Sequence, residues 1–421
     1  MMLHERLAEL AQLGATADGI DRALFTAAER AARERFVAWA RADGLRVEQD
    51  RAGNVFARLD PPSASAHAQG STASADAAPV QCGSHLDTVR NGGAYDGAYG
   101  VVGALEALRT IAASAVRPAR PLEAVAWAGE EGSRFPLGCL GSSVYSGLTA
   151  YDEVAALVAD DGETFASALH GPHGLLDGVP VRDGFPPPAA YVELHIEQGP
   201  VMERDGARLG IVSAIAGQRR FAVAVDGVAG HAGTVRMPGR ADALCAASEI
   251  VLAVERAALD AEDTVATVGH LVVEPNQTNI IPGHVVLRID LRSVDDGRID
   301  AAEQQIRARA AEIADRRAVQ VAIDTLESRA TVPMETRMQL LVRAACTERD
   351  PRAMTIASGA GHDAMCVAHV APTAMIFVPS IGGRSHVGDE RTAPADLELG
   401  VEALAATLRA AAGAPWPSSA S

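Results

Sequence analysis

Histidine and carboxylate side chains recur in this chain in short polar motifs that follow apolar stretches. His85 and Asp87 form an H-x-D pair, Asp96 follows in a glycine-rich segment, and Glu130 and Glu131 are adjacent. Imidazole and carboxylate groups are common ligands of zinc and similar divalent ions, and two such ions held together activate water. The motifs therefore predict a hydrolytic site with two divalent metal ions.

The residue types suggest a role for each of these side chains. His85 is a candidate ligand, and the Asp87 carboxylate is expected to accept a hydrogen bond from its other ring nitrogen, with a turn cap as the alternative. Asp96 is predicted to bridge the two metals, because a carboxylate has two oxygens. Since neighbouring like charges repel, we predict different roles for the glutamates: Glu131 binds metal, and Glu130 is the base that takes a proton from water.

Two further histidines complete the predicted ligand set. His195 and His386 each lie in a polar motif that follows an apolar run. Either histidine alone is a weak signal, but five metal-compatible residues at the ends of predicted strands support one another. Mixed imidazole and carboxylate ligation accepts zinc, manganese, cobalt or nickel, so the residues leave the metal open.

The composition excludes several other classes of function. The net charge of −17 argues against a nucleic-acid partner, which requires a basic surface. No apolar run approaches the ~20 residues that span a membrane, and without a signal-peptide pattern we expect a cytoplasmic protein. All 37 basic residues are arginine, which excludes Schiff-base chemistry and Cys-Lys-Glu amide hydrolysis. The five dispersed cysteines indicate reduced thiols.

Apolar periodicity predicts the elements that must position these residues. A low-complexity stretch at 61–79 is predicted to be a surface loop. The predicted elements are a helical region at 3–46, a strand pair at 46–58, strands at 80–84, 122–128, 191–196, 220–228, 265–273, 285–291, 320–325 and 373–378, and helices at 100–113, 241–258 and 300–316.

This order predicts an α/β protein whose central mixed sheet is interrupted by an insertion. A chain of 421 residues is expected to form two domains. Residues 215–330, with the order strand-helix-strand-strand-helix-strand, are predicted to form an inserted two-layer α+β domain. Residues 1–214 and 331–421 are predicted to form the two parts of the catalytic domain, whose strands end where the polar motifs begin.

Four motifs resemble those of the M20-type metallohydrolases, namely residues 83–89, 128–135, 193–200 and 230–234. The Leu-His-Ile-Glu-Gln-Gly form at 194–199 and the segment 358–364 resemble more narrowly the hydantoinase/carbamoylase branch. That branch contains N-carbamoyl-L-amino-acid hydrolases, β-ureidopropionases and allantoate amidohydrolases. The resemblance covers about residues 3–412 without 61–79, and it implies a zinc-peptidase-like catalytic domain with a lid that also forms a homodimer.

The resemblance also implies roles for individual residues. His85, Asp96 and His195 would hold one metal, and Asp96, Glu131 and His386 the other, with Glu130 as general base. His231 would stabilise the oxyanion, reaching the site from the partner subunit. The residues in motifs that contact substrate in this branch are Gln198, His231, Asn279, Arg292 and His362.

Some of these assignments have structural alternatives. Arg292 is expected to grip a substrate carboxylate as a bidentate fork, although an ion pair with Asp290 or Glu274 is possible. His362 could be a buried polar histidine beside Asp363.

The function that the resemblance implies is hydrolysis of a ureido C–N bond in a small carboxylate-bearing molecule. An N-carbamoyl-L-amino acid and allantoate fit equally well, and the products would include ammonia and CO2. A peptidase or N-acyl-amino-acid hydrolase of the same superfamily is the alternative. Two departures from the family pattern, one at Arg236 and the other at Arg384 and the stretch 387–390, bear on substrate identity.

Overall fold

The computed structural model describes residues 2–61, 77–114 and 118–416, so most of the predicted loop at 61–79 lies outside the described residues. The chain divides into two compact units. The first comprises Met1–Ser213 and Met334–Ser421, and the second comprises Ala214–Pro333. No helix within the described ranges combines the length and the apolar character that crossing a membrane requires.

Helices and strands alternate through much of the chain. The helices are α1 Leu3–Gln12, α2 Ala27–Ala42, α3 Ala98–Ala112, α4 Leu140–Tyr145, α5 Tyr151–Ala155, α6 Phe165–His170, α7 Val201–Asp205, α8 Ala243–Leu259, α9 Asp296–Arg317, α10 Thr336–Arg349, α11 Asp363–Val367 and α12 Pro394–Gly413. The strands are β1 Arg46–Gln49, β2 Val55–Leu59, β3 Val80–His85, β4 Leu122–Trp127, β5 Ala190–Ile196, β6 Gly210–Ile215, β7 Gly217–Asp226, β8 Gly230–His231, β9 Thr264–Glu274, β10 Ile280–Ile281, β11 His284–Ser293, β12 Gln320–Arg329, β13 Val332–Pro333, β14 Met354–Ser358 and β15 Thr373–Val378.

The first unit is built on a mixed sheet, as predicted. Its strand order is β1-β2-β4-β3-β5-β15-β6, with β14 paired to β6. The four central strands, β4, β3, β5 and β15, run parallel to one another and are buried along their whole length. Their apolar side chains form one core with those of α3 and α12. Parallel strands bring their carboxyl ends to one edge, which therefore collects the loops that follow them.

The second unit has two layers. An antiparallel sheet with the order β12-β7-β11-β9 buries its alternate residues, among them Phe221, Val223 and Val225, against one side of α8 and α9. The remaining strand residues are partly or fully exposed, which explains the alternating burial pattern along β7, β11 and β12. This is the two-layer α+β architecture that the predicted element order indicated.

The predicted helical region at 3–46 is in fact two helices with a loop at 13–26 between them. The chain leaves the helical path at Leu13, whose backbone is extended (φ −83°, ψ 107°), and Gly14 follows in a left-handed conformation (φ 86°). Thr26 caps the start of α2 by accepting the N–H of Glu29. The buried Arg22 holds this loop in place, donating to the carbonyls of Leu86 at 2.6 Å and Leu10 at 2.8 Å. Apolar residues recur at helical spacing on both sides of the loop, so the periodicity alone did not indicate where one helix ends and the next begins.

Candidate active site

The polar edge of the first unit's sheet carries most of the predicted site residues. His85 is the last residue of β3, and His195 is the penultimate residue of β5. Glu130 follows β4 closely, and His386 lies in the loop after β15, beyond a 3₁₀ turn at Ile381–Gly383. These strands are neighbours in the sheet, so side chains from distant parts of the sequence meet at one edge.

Asp96 lies at the centre of a first cluster with the two buried histidines. Its Oδ1 is 3.5 Å from His85 Nε2 and 3.3 Å from His195 Nε2. The Nδ1 atom of each histidine faces a backbone carbonyl, that of Asp87 at 3.0 Å and that of Ile196 at 2.9 Å. A carbonyl only accepts, so Nδ1 of each histidine carries a proton, and Nε2 is the nitrogen that faces Asp96 and could bind a cation.

The other oxygen of Asp96 belongs to a second cluster. Asp96 Oδ2 is 3.2 Å from His386 Nε2, which in turn is 3.6 Å from Glu131 Oε2. In each cluster, one ligand atom from every residue lies within 4.8 Å of the others. Asp96 thus offers one oxygen to each cluster, which is the arrangement that a bridging carboxylate requires.

The charges of the site favour bound cations. Burial, and then the charges of Asp96 and Glu130, raise the pKa of Glu131 to about 8. Burial also raises the pKa of Glu130, whereas histidine hydrogen bonds outweigh the effect of burial and hold the pKa of Asp96 well below its usual value. The hydrogen bond with Asp96 raises the pKa of His386 to about 9. Carboxylates and imidazole nitrogens gathered in this way are a donor set that fits divalent metal ions, which would replace the protons that the histidines hold beside Asp96.

The Asp87 carboxylate holds the main chain on both sides of Glu130. The N–H of Glu130 donates to Asp87 Oδ1 at 3.1 Å, and the N–H of Glu131 donates to Asp87 Oδ2 at 3.2 Å. Glu130 Oε2 lies 3.7 Å from His85 Nε2, so the carboxylate borders the first cluster. This position is compatible with the role of a base that we predicted for Glu130.

The side chain of Asp87 differs from its predicted role. We expected its carboxylate to accept from His85 Nδ1, but Asp87 Oδ1 lies 3.7 Å from that atom, and the backbone carbonyl of Asp87 accepts instead at 3.0 Å. The carboxylate serves the backbone N–H groups of the two glutamates. Asp87 therefore orients both His85 and Glu130, the first through its main chain and the second through its side chain.

Comparisons with known proteins place this arrangement in a family. The model of peptidase family M20/M25/M40 matches residues 82–410. The chain belongs to that family. It is 37% identical over 414 residues to the N-carbamoyl-L-amino-acid amidohydrolase of Paenarthrobacter aurescens, with 97% of each chain covered, and 37% identical over 397 residues to the allantoate amidohydrolase of Bacillus subtilis (strain 168), covering 94% of this chain and 93% of the relative. A hydantoinase/carbamoylase family amidase from Burkholderia multivorans is structurally similar, with a TM-score of 0.90, 37% identity and 98% of both chains covered.

Gln198 and His362 also lie beside the clusters of this M20 family member. Gln198 has a left-handed backbone (φ 60°), and its Nε2 donates to Asp96 Oδ2 at 2.8 Å. His362 is buried, its ring centroid 4.6 Å from that of His195, and its Nε2 is 2.7 Å from Ser358 Oγ. Burial, and then the neighbouring His195, lower the pKa of His362 well below its usual value, so it remains neutral.

The other predicted substrate contacts belong to the second unit. His231 pairs with Ile280 between β8 and β10, and the N–H of Ala232 donates to the carbonyl of Asn279 at 3.0 Å. His231 Nδ1 accepts the N–H of Gly233 at 3.0 Å, so its exposed ring presents Nε2–H as a donor.

Arg292 lies at the end of β11 and is paired with Asp290. Its Nε and Nη2 donate to the two carboxylate oxygens at 2.7 and 3.0 Å. Asp290 also accepts from Gln218 and Arg220. The ion pair that we considered as the alternative for Arg292 is therefore present, and 28% of the Arg292 side chain is still exposed.

Sequence reasoning missed the residue that joins the loops of Asp96 and His386. Glu390 is buried, and its Oε1 accepts the N–H groups of Tyr95 at 2.9 Å and Asp96 at 3.0 Å. Its Oε2 is 2.7 Å from Ser385 Oγ, beside His386. Glu390 thereby fastens the loop of Asp96 to the loop of His386. The stretch 387–390 stood out only as a departure from the family pattern, which was the one available signal.

Proposed function

We propose that this protein is a metal-dependent amidohydrolase that cleaves the ureido C–N bond of a small carboxylate-bearing substrate. The observation that carries the proposal is the pair of clusters that share Asp96, with Glu130 beside them. The relatives named for N-carbamoyl-L-amino acids and for allantoate are equally similar to this chain, so both remain candidate substrates. Each carries a ureido group and a carboxylate.

His85, Asp96 and His195 would hold one divalent ion, and Asp96, Glu131 and His386 the other. Ions bound there would lower the pKa of water towards ~7 and polarise the ureido carbonyl. Zinc, manganese, cobalt and nickel all suit this donor set.

Glu130 would move the protons of the reaction. Its Oε2 borders the first cluster, where it would take a proton from water as the water oxygen bonds to the ureido carbon. The C–NH2 bond then breaks, and Glu130 returns the proton to the departing nitrogen, which leaves as ammonia. The remaining carbamic acid loses CO2 and gives the free amine.

Gln198 is suited to contact the ureido group. Its Nε2 donates to Asp96, whereas its buried Oε1 has no hydrogen-bond partner among the described residues. A buried amide oxygen of this kind is costly unless it accepts a hydrogen bond, and a ureido N–H would supply one.

We further propose that residues of the second unit bind the rest of the substrate. His231, reaching the site from the partner subunit, would donate its Nε2–H to the developing oxyanion, and Arg292 with Asn279 would hold the substrate carboxylate. Support for Arg292 comes from its exposed fraction and from Asp290, which orients the guanidinium. An Arg292→Lys variant should raise KM more than it lowers kcat, because lysine cannot form the bidentate contact.

A homodimer through the second unit is also part of the proposal. Leu252, Leu259 and Val265 expose between 62% and 73% of their area on α8 and on β9, which lies at one edge of its sheet. A second copy of the chain would cover them and pair the edge strand. Sedimentation of the wild type and of Leu259→Glu at the same concentration would test this. The wild type should sediment as a dimer and the variant as a monomer, and a monomeric wild type would refute the proposal.

The test of the activity is ammonia release from metal-reconstituted protein with allantoate and a panel of N-carbamoyl-L- and D-amino acids. Chelator-sensitive turnover of one class would support the proposal and identify the substrate. A Glu130→Gln variant should lose about 10²- to 10⁴-fold in kcat and keep its metals. Hydrolysis of dipeptides or N-acyl amino acids, with none of the ureido acids, would refute the ureido assignment in favour of a peptidase or acylase.

A further inference from the structure

Glu130 is followed by a loop that returns to it at Cys139. Three backbone hydrogen bonds, of 2.8, 3.0 and 2.7 Å, join the N–H groups of residues 139, 140 and 141 to the carbonyls of residues 130, 129 and 128. The main chain of Cys139 is therefore fixed directly against that of Glu130.

Cys139 adopts a backbone conformation that side chains rarely take. Its φ of 52° and ψ of 36° lie in the left-handed region, just before α4. Elsewhere in the same loop the left-handed positions are occupied by glycine, at Gly129 (φ 69°) and Gly132 (φ 62°). Glycine would adopt this conformation at position 139 without steric cost, so a cysteine there suggests a use for its side chain.

The thiol of Cys139 contacts the carboxylate of Glu130. Its Sγ lies 3.4 Å from Glu130 Oε1, whereas the other oxygen, Oε2, faces His85. The residue is 3% exposed, and the Cys366 thiol lies beside it. The hydrogen bond with Cys366, burial and the charge of Glu130 raise the pKa of Cys139 well above its usual value, so the thiol keeps its proton. A carboxylate is a stronger acceptor than a thiol sulfur, which favours donation to Glu130.

We infer that Cys139 is a positioning residue for the reaction: its S–H donates to Glu130 Oε1 and turns Oε2 towards the reacting water. The inference rests on the proposed function, in which Glu130 is the general base. Without the thiol, the carboxylate would still be present but would rotate more freely, so the proton-transfer step would slow while substrate and metal binding remained.

Three substitutions distinguish the effect of the thiol from the effect of the left-handed backbone. Cys139→Ala removes the donor and keeps the strained conformation, Cys139→Gly removes both the donor and the strain, and Cys139→Ser keeps a donor. We expect about a tenfold lower kcat for the first two, the size typical of groups that orient catalytic ligands, with KM and metal content unchanged. Cys139→Ser should recover most of the loss. Cys346→Ala, at a buried thiol in α10, is the matched control and should keep wild-type turnover.

A Cys139→Gly variant as active as the wild type would overturn the inference, since the backbone alone would then account for the position. So would a Cys139→Ser variant as slow as Cys139→Ala.

Infrared spectroscopy tests the hydrogen bond between Cys139 and Glu130 directly and needs no substrate. The S–H stretch that is lost in Cys139→Ala should move to higher frequency in Glu130→Gln, because an amide accepts more weakly than a carboxylate. An unmoved band refutes the hydrogen bond. If the wild type turns over none of the ureido acids, the proposed function fails, and the band still decides whether Cys139 donates to Glu130.

Discussion

The Asp87→Asn substitution tests how the site positions its two adjacent glutamates. Asp87 accepts one backbone N–H on each carboxylate oxygen, from Glu130 at 3.1 Å and from Glu131 at 3.2 Å. Asparagine has the same shape but offers one acceptor oxygen and sets an NH2 group against the second N–H. The perturbation therefore removes one hydrogen bond and weakens the other, inside a site where the side chain is buried.

The size of the effect follows from these two bonds. A hydrogen bond to a charged group contributes about 1.5–3 kcal/mol and one to a neutral group about 1 kcal/mol, so the exchange costs about 2–5 kcal/mol. Removing one negative charge near Glu130 and Glu131 offsets part of that cost, and we expect a net loss of about 1–3 kcal/mol in the free energy of unfolding. Because both glutamates lose their support, kcat should fall about 10- to 100-fold.

The assay combines urea unfolding with kcat, KM and metal content on the same preparations. Asp350→Asn is the matched control: Asp350 is also buried, and its Oδ2 accepts the N–H groups of Arg208 at 2.8 Å and Leu209 at 3.3 Å. Its Oδ1 accepts the N–H of Arg352 at 3.0 Å, and none of these partners is a predicted site residue. The control should lose comparable stability and keep its kcat. An Asp87→Asn variant with wild-type kcat would refute the positioning role, and equal losses of kcat in both variants would show a general effect of destabilisation.

Three more outcomes can be measured on the same protein. Glu390→Ala should weaken binding of at least one metal about 10- to 100-fold by calorimetry, because the loops of Asp96 and His386 lose their common anchor, and Glu390→Gln should keep most of the affinity. Removing the metals with a chelator should lower the melting temperature, and refilling at a hundredfold excess over Kd should restore about 2.7 kcal/mol per site to the free energy of unfolding; an unchanged melting temperature would contradict a buried metal site. Glu29→Gln should cost about 3–5 kcal/mol in urea unfolding with kcat unchanged, because it leaves the buried Arg33 without its carboxylate partner at 2.7 Å.

The sequence was sufficient to predict the fold because the signals were local. Each parallel strand of the sheet centre is a short apolar run followed by a polar motif, and His85 and His195 stand where β3 and β5 end. Parallel strands share their carboxyl edge, so strand ends alone predict that these side chains meet. His386 was predicted in the same way, from the polar motif that follows the apolar run of β15, and the family resemblance then implied which metal it would bind.

What the sequence did not predict depends on contacts between distant residues. Glu390 reaches the backbone of Asp96 across 294 positions, and no local pattern marks such a contact. The direction in which the chain turns after β3 decided that the carbonyl of Asp87, rather than its carboxylate, faces His85. The left-handed conformation of Cys139 was equally hidden, because a cysteine there gives none of the signal that glycine would.

The donors around Asp96 explain how the site holds its shape while remaining open to cations. Asp96 Oδ2 accepts from Gln198 at 2.8 Å and lies 3.0 Å from Ser385 Oγ, and both donors are neutral. An arginine in either position would hold the carboxylate more strongly, but its fixed positive charge would repel a divalent ion and occupy both oxygens as a fork. The chain has 37 arginines and no lysine, yet amide, hydroxyl and imidazole groups surround the Asp96 carboxylate. Neutral donors fix the geometry, and the charge of Asp96 remains available to the metals.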